Sequence, residues 1–178
     1  MLSVTTQKYF YTMKKIIIVL LIFVANTINV KAQILKANLQ ASGLTCSMCN
    51  LSVKKALQKL PFVGDIQANV ETAVYTITFK EGQKVELIDT QKAVKKAGFS
   101  VSKLIFTGNF SNIDVPQNNQ ITVGGNVCNL INSTGKKLNG NLDLMIVNKD
   151  FVSEKEFKKY KSKVVRNSQK QLLNVILI

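Results

Sequence analysis

Histidine and tryptophan are absent from the 178-residue sequence; arginine occurs once, at Arg166, and proline twice, at Pro61 and Pro116. Without imidazole there is no Ser-His or Cys-His nucleophile pair, no metalloenzyme site built on paired histidines and no Cys2His2 zinc site. One arginine and no tryptophan leave none of the interleaved arginine and aromatic side chains that grip nucleic acid, so no nucleic-acid partner is expected. Acidic residues are also scarce, 10 against 24 Lys and Arg, and none precedes Gln33. With Lys8, Lys14, Lys15 and Lys31 set aside, the chain from Gln33 onward carries +10, a charge that favours acidic partners or anionic surfaces and keeps the protein soluble.

Apolar residues run unbroken only at the start of the chain. Lys14-Lys15, then Ile16 to Ala25, then Val30-Lys31-Ala32 read as a basic region, a short apolar region and small residues before a cut. Residues 1–32 are therefore expected to be a signal peptide with its start at Met13, and the mature protein to be exported, to the periplasm. The run is far shorter than the roughly 20 residues that span a bilayer, and no cysteine follows it to take a lipid. Past the cut, the chain is not expected to span a membrane.

What the sequence does have is a pair of thiols. Gly43-Leu44-Thr45-Cys46-Ser47-Met48-Cys49 lies between an alternating run, Ile34 to Ala41, and a run with helical periodicity, Leu51 to Leu60, which Pro61 stops. A strand followed by a helix places the thiols on the connecting loop and the first helical turn, where unpaired N–H groups and the helix dipole favour thiolate. In the strand, Leu35, Ala37, Leu39 and Ala41 form the apolar face. Ile66 to Val70 and Val74 to Phe79 read as a hairpin, Glu86 to Ala97 as a second helix closed by Gly98, and Phe99 to Phe106 as a last strand. The order is βαββαβ, a ferredoxin-like arrangement.

Residues 34–107 resemble a heavy-metal-associated domain, the module of small copper chaperones, of the N-terminal tails of copper-transporting P-type ATPases and of periplasmic mercury-binding proteins. Residues 43–49 match that family's Gly-Met-Thr-Cys-x-x-Cys motif with Leu44 for Met, a swap that keeps volume, and Lys96-Ala97-Gly98-Phe99 matches the Gly-aromatic segment opening its last strand. The resemblance implies metal binding by Cys46 and Cys49, with Gly43, Thr45 and Phe99 supporting the loop. It also implies transfer of the ion to a metal-transporting P-type ATPase or another metal-binding protein, without enzymatic chemistry. Two thiolates suit Cu(I) first, with Hg, Zn, Cd and Ag as other soft ions, over Mg, Ca or Mn. Lys54 and Lys55 follow within two turns, either supporting a dithiolate–metal centre or forming a solvated face. Met48 between the thiols is read as exposed loop or as a third soft donor. Thr45 is expected to cap or brace the loop through its hydroxyl.

Cys128 makes the cysteine count odd and has three readings: a buried small hydrophobe, a third thiolate folded over the pair, or half of an intermolecular disulfide. A second function class also stays open. A Cys-x-x-Cys opening a helix describes thiol–disulfide oxidoreductases, and an oxidising compartment could close the same pair into a redox-gated sensor. Against an oxidoreductase, the motif holds no proline or preceding aromatic, and neither proline is a good cis-proline candidate.

The fold class expected is α+β: domain 33–107, then a β-rich module with one helix over 108–178. In that module Ile121 to Ile131 reads as one strand bulged or kinked at Gly124-Gly125, Leu138 to Val147 as another strand after a turn at residues 134–137, and Leu172 to Ile178 as a closing strand. Ser153-Glu154-Lys155-Glu156 has the form of a capping box, followed by a helical stripe of Phe157, Tyr160, Lys161 and Val164.

Overall fold

Alternation and helical periodicity are realised along the first half of the chain. In the computed structural model, which describes residues 32–132, 135–165 and 172–178, they give β1 (Gln33–Ser42), α1 (Ser47–Gln58), β2 (Val63–Asn69), β3 (Val74–Phe79), α2 (Leu87–Lys96) and β4 (Ser100–Asp114). The expected signal peptide lies outside these residues, Ala32 excepted. Ala37, Leu39, Ile66, Tyr75, Ile77, Leu104 and Phe106 line the inner face of the sheet, where Val53 and Leu57 of α1 and Leu87 and Val94 of α2 are buried. Strand order β2-β3-β1-β4 with antiparallel pairing throughout makes this the ferredoxin-like α+β arrangement. No helix among the described residues is long and apolar enough to cross a membrane.

One face assignment is corrected by a bulge. Ile34 pairs with Gly108 but Lys36 with Thr107, so Leu35 is the extra residue of β1 and its side chain turns outward, 41% exposed, while Ile34 is buried in its place. An inserted residue shifts a period of two by one, which moves every residue before it to the other face.

The second half adds β5 (Gln120–Val123), β6 (Asn126–Leu130), β7 (Lys137–Ile146), α3 (Glu154–Tyr160) and β8 (Leu173–Leu177). It continues the same sheet. β4 runs without interruption through Thr107 and Gly108, pairing with β1 from Ser100 to Asn109 and with β7 from Ile105 to Asp114. From β7 the order proceeds to β8, β6 and β5, and Val123 at the end of β5 bridges back in parallel to Ala32, whose carbonyl accepts a hydrogen bond from Gly124 N–H at 2.7 Å. Six strands, β1-β4-β7-β8-β6-β5, thus close into a ring. One apolar core joins residues of both halves, from Leu39 and Val53 to Phe110, Leu130 and Val175. A smaller cluster on the outer face, Met145, Val147 and Ile176, is covered by Tyr160 and Val164. Half of the capping box of α3 forms, Ser153 Oγ accepting from Glu156 N–H at 3.3 Å, but Ser153 N–H donates to the Ser102 carbonyl at 3.1 Å and the Glu156 carboxylate pairs with Lys159; the helix ends at Tyr160 and Lys161 is exposed.

The segment from Ile121 to Ile131 is not one kinked strand. Val123 pairs with Asn126 across Gly124-Gly125, both at positive φ, which is the two-residue hairpin turn that matches strand twist. A Cβ on Gly124 would stand 2.9 Å from Ile34 Cδ1 and Cγ1, in a conformation that alanine adopts only with strain. Gly124→Ala is therefore expected to cost about 2–3 kcal/mol, seen as a lower urea midpoint with unchanged slope.

Candidate metal centre

Gly43, at φ +86°, turns the chain out of β1. Leu44 then packs back on the core, and the side of Gly43 that a Cβ would occupy faces the Phe99 ring, 3.9 Å away. Phe99 is thus beside the loop, as the resemblance implies. Cys46 is the N-cap of α1: its Sγ accepts a hydrogen bond from Cys49 N–H at 3.2 Å, and its carbonyl accepts from Cys49 and Asn50 N–H at 3.1 and 3.3 Å. The cap expected of Thr45 is made by Cys46 instead, because the helix begins at Ser47 and Thr45, exposed, lies one residue too early.

Cys46 and Cys49 are joined as a disulfide, with their Cα atoms 5.3 Å apart. Cys46 is exposed and Cys49 half-buried, so the sulfurs are open to solvent on one side. No acidic residue occupies the first turn of α1, and Lys54 follows in the second turn and Lys55 at the start of the last, so the helix start favours negative charge on sulfur. Met48, 67% exposed, projects from the first turn.

The structure does not bring Cys128 to this pair. It lies on β6, pairing with Ile121 and Leu173, in the hairpin that closes on Ala32, whereas the thiol loop follows Ser42 at the other end of β1. Cys128 is fully buried among core residues, which places it on the inner face together with Val123. Among the described residues no group of three His, Cys, Asp or Glu could hold a metal. Of its three readings, the structure places Cys128 as a buried small hydrophobe of the distal half and not as a third thiolate over the pair. Burial pushes its thiol from the ordinary 9.0 up to about 12. Between those two values the unfolded chain ionises Cys128 and the folded one does not, so this residue's contribution to stability is complete below pH 9 and is lost as pH rises toward 12. Alkylation at pH 8 is accordingly expected to label the reduced Cys46–Cys49 pair in the native protein and Cys128 only after unfolding, checked by mass spectrometry of peptides.

Residues 38–100 match the model of the heavy-metal-associated domain. The mercuric transport protein periplasmic component of Serratia marcescens is 34% identical over 64 residues, 36% of this chain and 69% of that protein. The chain belongs to the heavy-metal-associated domain family. Copper-transporting ATPase 1 of Rhizobium meliloti is 38% identical over 66 residues, 37% of this chain but only 8% of the ATPase. Among solved structures, oxidized MerP from Ralstonia metallidurans CH34 is 32% identical, covering 39% of this chain and 94% of that one at a TM-score of 0.36.

Residues 38–100 are thus a heavy-metal-associated module, and the Cys pair stands at its expected place on the first βα connection. Two of its residues escaped the sequence reading. Asn50, directly after Cys49, is buried, and its side chain meets the hydroxyl of fully buried Tyr75 on β3. A signal was present: Asn50, Val53 and Leu57 share the three-and-four spacing of the buried stripe of α1.

Proposed function

We propose that this protein is an exported carrier of a soft metal ion, Cu(I) first among the candidates, bound as cargo by the thiolates of Cys46 and Cys49 and exchanged with a metal-transporting ATPase or another metal-binding partner. The observation that carries the reading is the pair itself: two adjacent sulfurs, one of them the N-cap acceptor of α1, open to solvent on one side, with no carboxylate or further thiolate in reach among the described residues. Thiolates without oxygen or imidazole donors favour soft ions, and a site with two ligands leaves room for a partner's thiols to add before the first pair releases. The names of the relatives agree in kind, one a copper-transporting ATPase and the other a periplasmic component of mercuric transport. A groove between α1 and α2, with Lys55, Lys59 and Lys96 around Ala56 and Ala93 and with Lys92 paired to Asp89 at 3.1 Å, offers such a partner a net basic face.

The disulfide favours a redox-gated variant. Its sulfurs bind metal only after two electrons from a thiol reductant break the S–S bond and leave two thiolates, the reductant becoming the disulfide. The test is an anaerobic titration of the reduced chain with Cu(I) against a chromogenic chelator, with Hg(II) in parallel and the oxidised chain as reference. One Cu(I) per reduced chain and none on the oxidised chain is the expected result. Failure of the reduced chain to compete for either ion would remove the carrier reading, and turnover in an insulin-reduction assay would put an oxidoreductase in its place.

A further inference from the structure

The thiol loop is tied to the sheet at one point below it. Tyr75, on the inner face of β3 opposite Leu39 of β1 and Ala68 of β2, donates from its hydroxyl to Asn50 Oδ1 at 2.8 Å, with the Asn50 carbonyl a second acceptor at 3.3 Å. Asn50 Nδ2 donates in turn to the Cys46 carbonyl at 3.4 Å. That carbonyl therefore receives three N–H groups: the backbone amides of Cys49 and Asn50 and the Asn50 side chain. Tyr75 and Asn50 are both buried, so their polar atoms are withdrawn from water and depend on each other. Packing alone does not ask for this pair, since phenylalanine and an aliphatic residue would fill similar space without polar atoms to satisfy. Burial also pushes the Tyr75 phenol upward, which keeps it a proton donor over the whole working range.

We propose that Tyr75 and Asn50 are positioning residues for the Cys46–Cys49 pair, a buried hydroxyl-to-amide relay that fixes the Cys46 backbone over the first turn of α1 and so holds the two sulfurs at chelating separation once the disulfide is open. Asn50 adjoins Cys49 in sequence and holds Cys46 by its side chain, so one residue sets the spacing of both. Without the Tyr75 hydroxyl, Asn50 Oδ1 is left buried and unpaired. The amide then turns toward another partner, releases the Cys46 carbonyl, and the sulfurs explore a wider range of separations.

The inference rests on the carrier reading for its benefit to the cell but is measured without metal. The thiol–disulfide equilibrium of Cys46–Cys49 against glutathione reports how closely the thiols are held, two glutathione thiols giving up the electrons that open the bond and forming glutathione disulfide. Tyr75→Phe keeps the ring and removes only the hydroxyl. It is expected to shift this equilibrium toward the dithiol by about tenfold, and to weaken Cu(I) binding by a similar factor, as does Asn50→Ala. Ile77→Val, the next inward residue of β3, lowers the melting temperature without touching the loop and is expected to leave both quantities at the wild-type value. If Tyr75→Phe and Asn50→Ala change only the melting temperature, as Ile77→Val does, the pair is structural and the positioning role is overturned. A wild-type chain that binds no Cu(I) would defeat the carrier reading alone, because the glutathione equilibrium still decides the relay.

Discussion

Cys46→Ser is expected to lower the affinity of the reduced protein for Cu(I) by at least about a thousandfold while leaving the fold in place. A serine hydroxyl is a hard, un-ionised donor at neutral pH, so a two-sulfur site becomes a one-sulfur site. The same serine is a good N-cap, and its oxygen takes over the Cys49 N–H that Cys46 Sγ now accepts at 3.2 Å, so α1 keeps its start. Loss of affinity with an unchanged melting temperature separates chemistry from folding in one variant. Cys128→Ser is the complementary case. It puts a hydroxyl where the thiol has only a long contact, 3.8 Å, to the Asn126 carbonyl, and is expected to cost about 1–3 kcal/mol with no change in Cu(I) stoichiometry. Chelator competition and urea melts on both variants check the pair of results.

Asn126→Ala is expected to cost about 3 kcal/mol, among the larger effects available to a single side chain in this chain. Glu86, the N-cap of α2, makes no side-chain cap bond. The cap comes from 39 residues away, Asn126 Oδ1 accepting from Leu87 N–H at 3.2 Å, while Asn126 Nδ2 donates to the carbonyls of Val85 at 2.6 Å and Val123 at 3.2 Å. All three groups lie in the interior with Asn126 itself buried, so alanine takes the side-chain partner from the Leu87 N–H at the start of α2 and from the Val85 carbonyl. Loss of amide-exchange protection at Leu87 together with a lower urea midpoint is the expected signature. A variant as stable as the wild type, with Leu87 still protected, would mean that water replaces the amide. Because the metal loop follows the far end of β1, Cu(I) affinity below the unfolding transition is expected to stay at the wild-type value.

These residues show which parts of the fold were legible in the sequence. The ferredoxin-like half was, because its information is local: Leu39 and Ala41, Ile66 and Ala68, Val53 and Leu57 carry the period of their own element, and the motif names its own loop. Misreadings fell where a partner strand decides. The outward turn of Leu35 depends on the register of β1 against Gly108, and Gly124-Gly125 becomes a tight hairpin rather than a kink because β6 folds back on β5. The parallel pairing of β6 with β8 joins residues 45 apart, such as Cys128 and Leu173, and no local pattern announces it. Buried asparagines were hard to read for another reason. Asn50 and Asn126 read as surface residues by type; the helical spacing of Asn50 with Val53 and Leu57 marks its burial, but only the groups packed around each asparagine reveal which backbone carbonyl or helix end it completes.

The long fourth strand has a mechanical meaning. One of its ends follows Phe99, whose ring faces the Gly43 turn that leads into the thiol loop, and the other, at Asp114, belongs wholly to the C-terminal half. From Ser100 to Phe110, before the register shifts at Phe110/Ile113 and Asn112 takes a positive φ, the strand is one paired length at about 3.3 Å per residue, so whatever grips the C-terminal half also aims the thiol loop. Held by that half at a surface, the molecule would present its sulfurs outward at a fixed reach, like a lamp on a bracket, with no linker to search the space between.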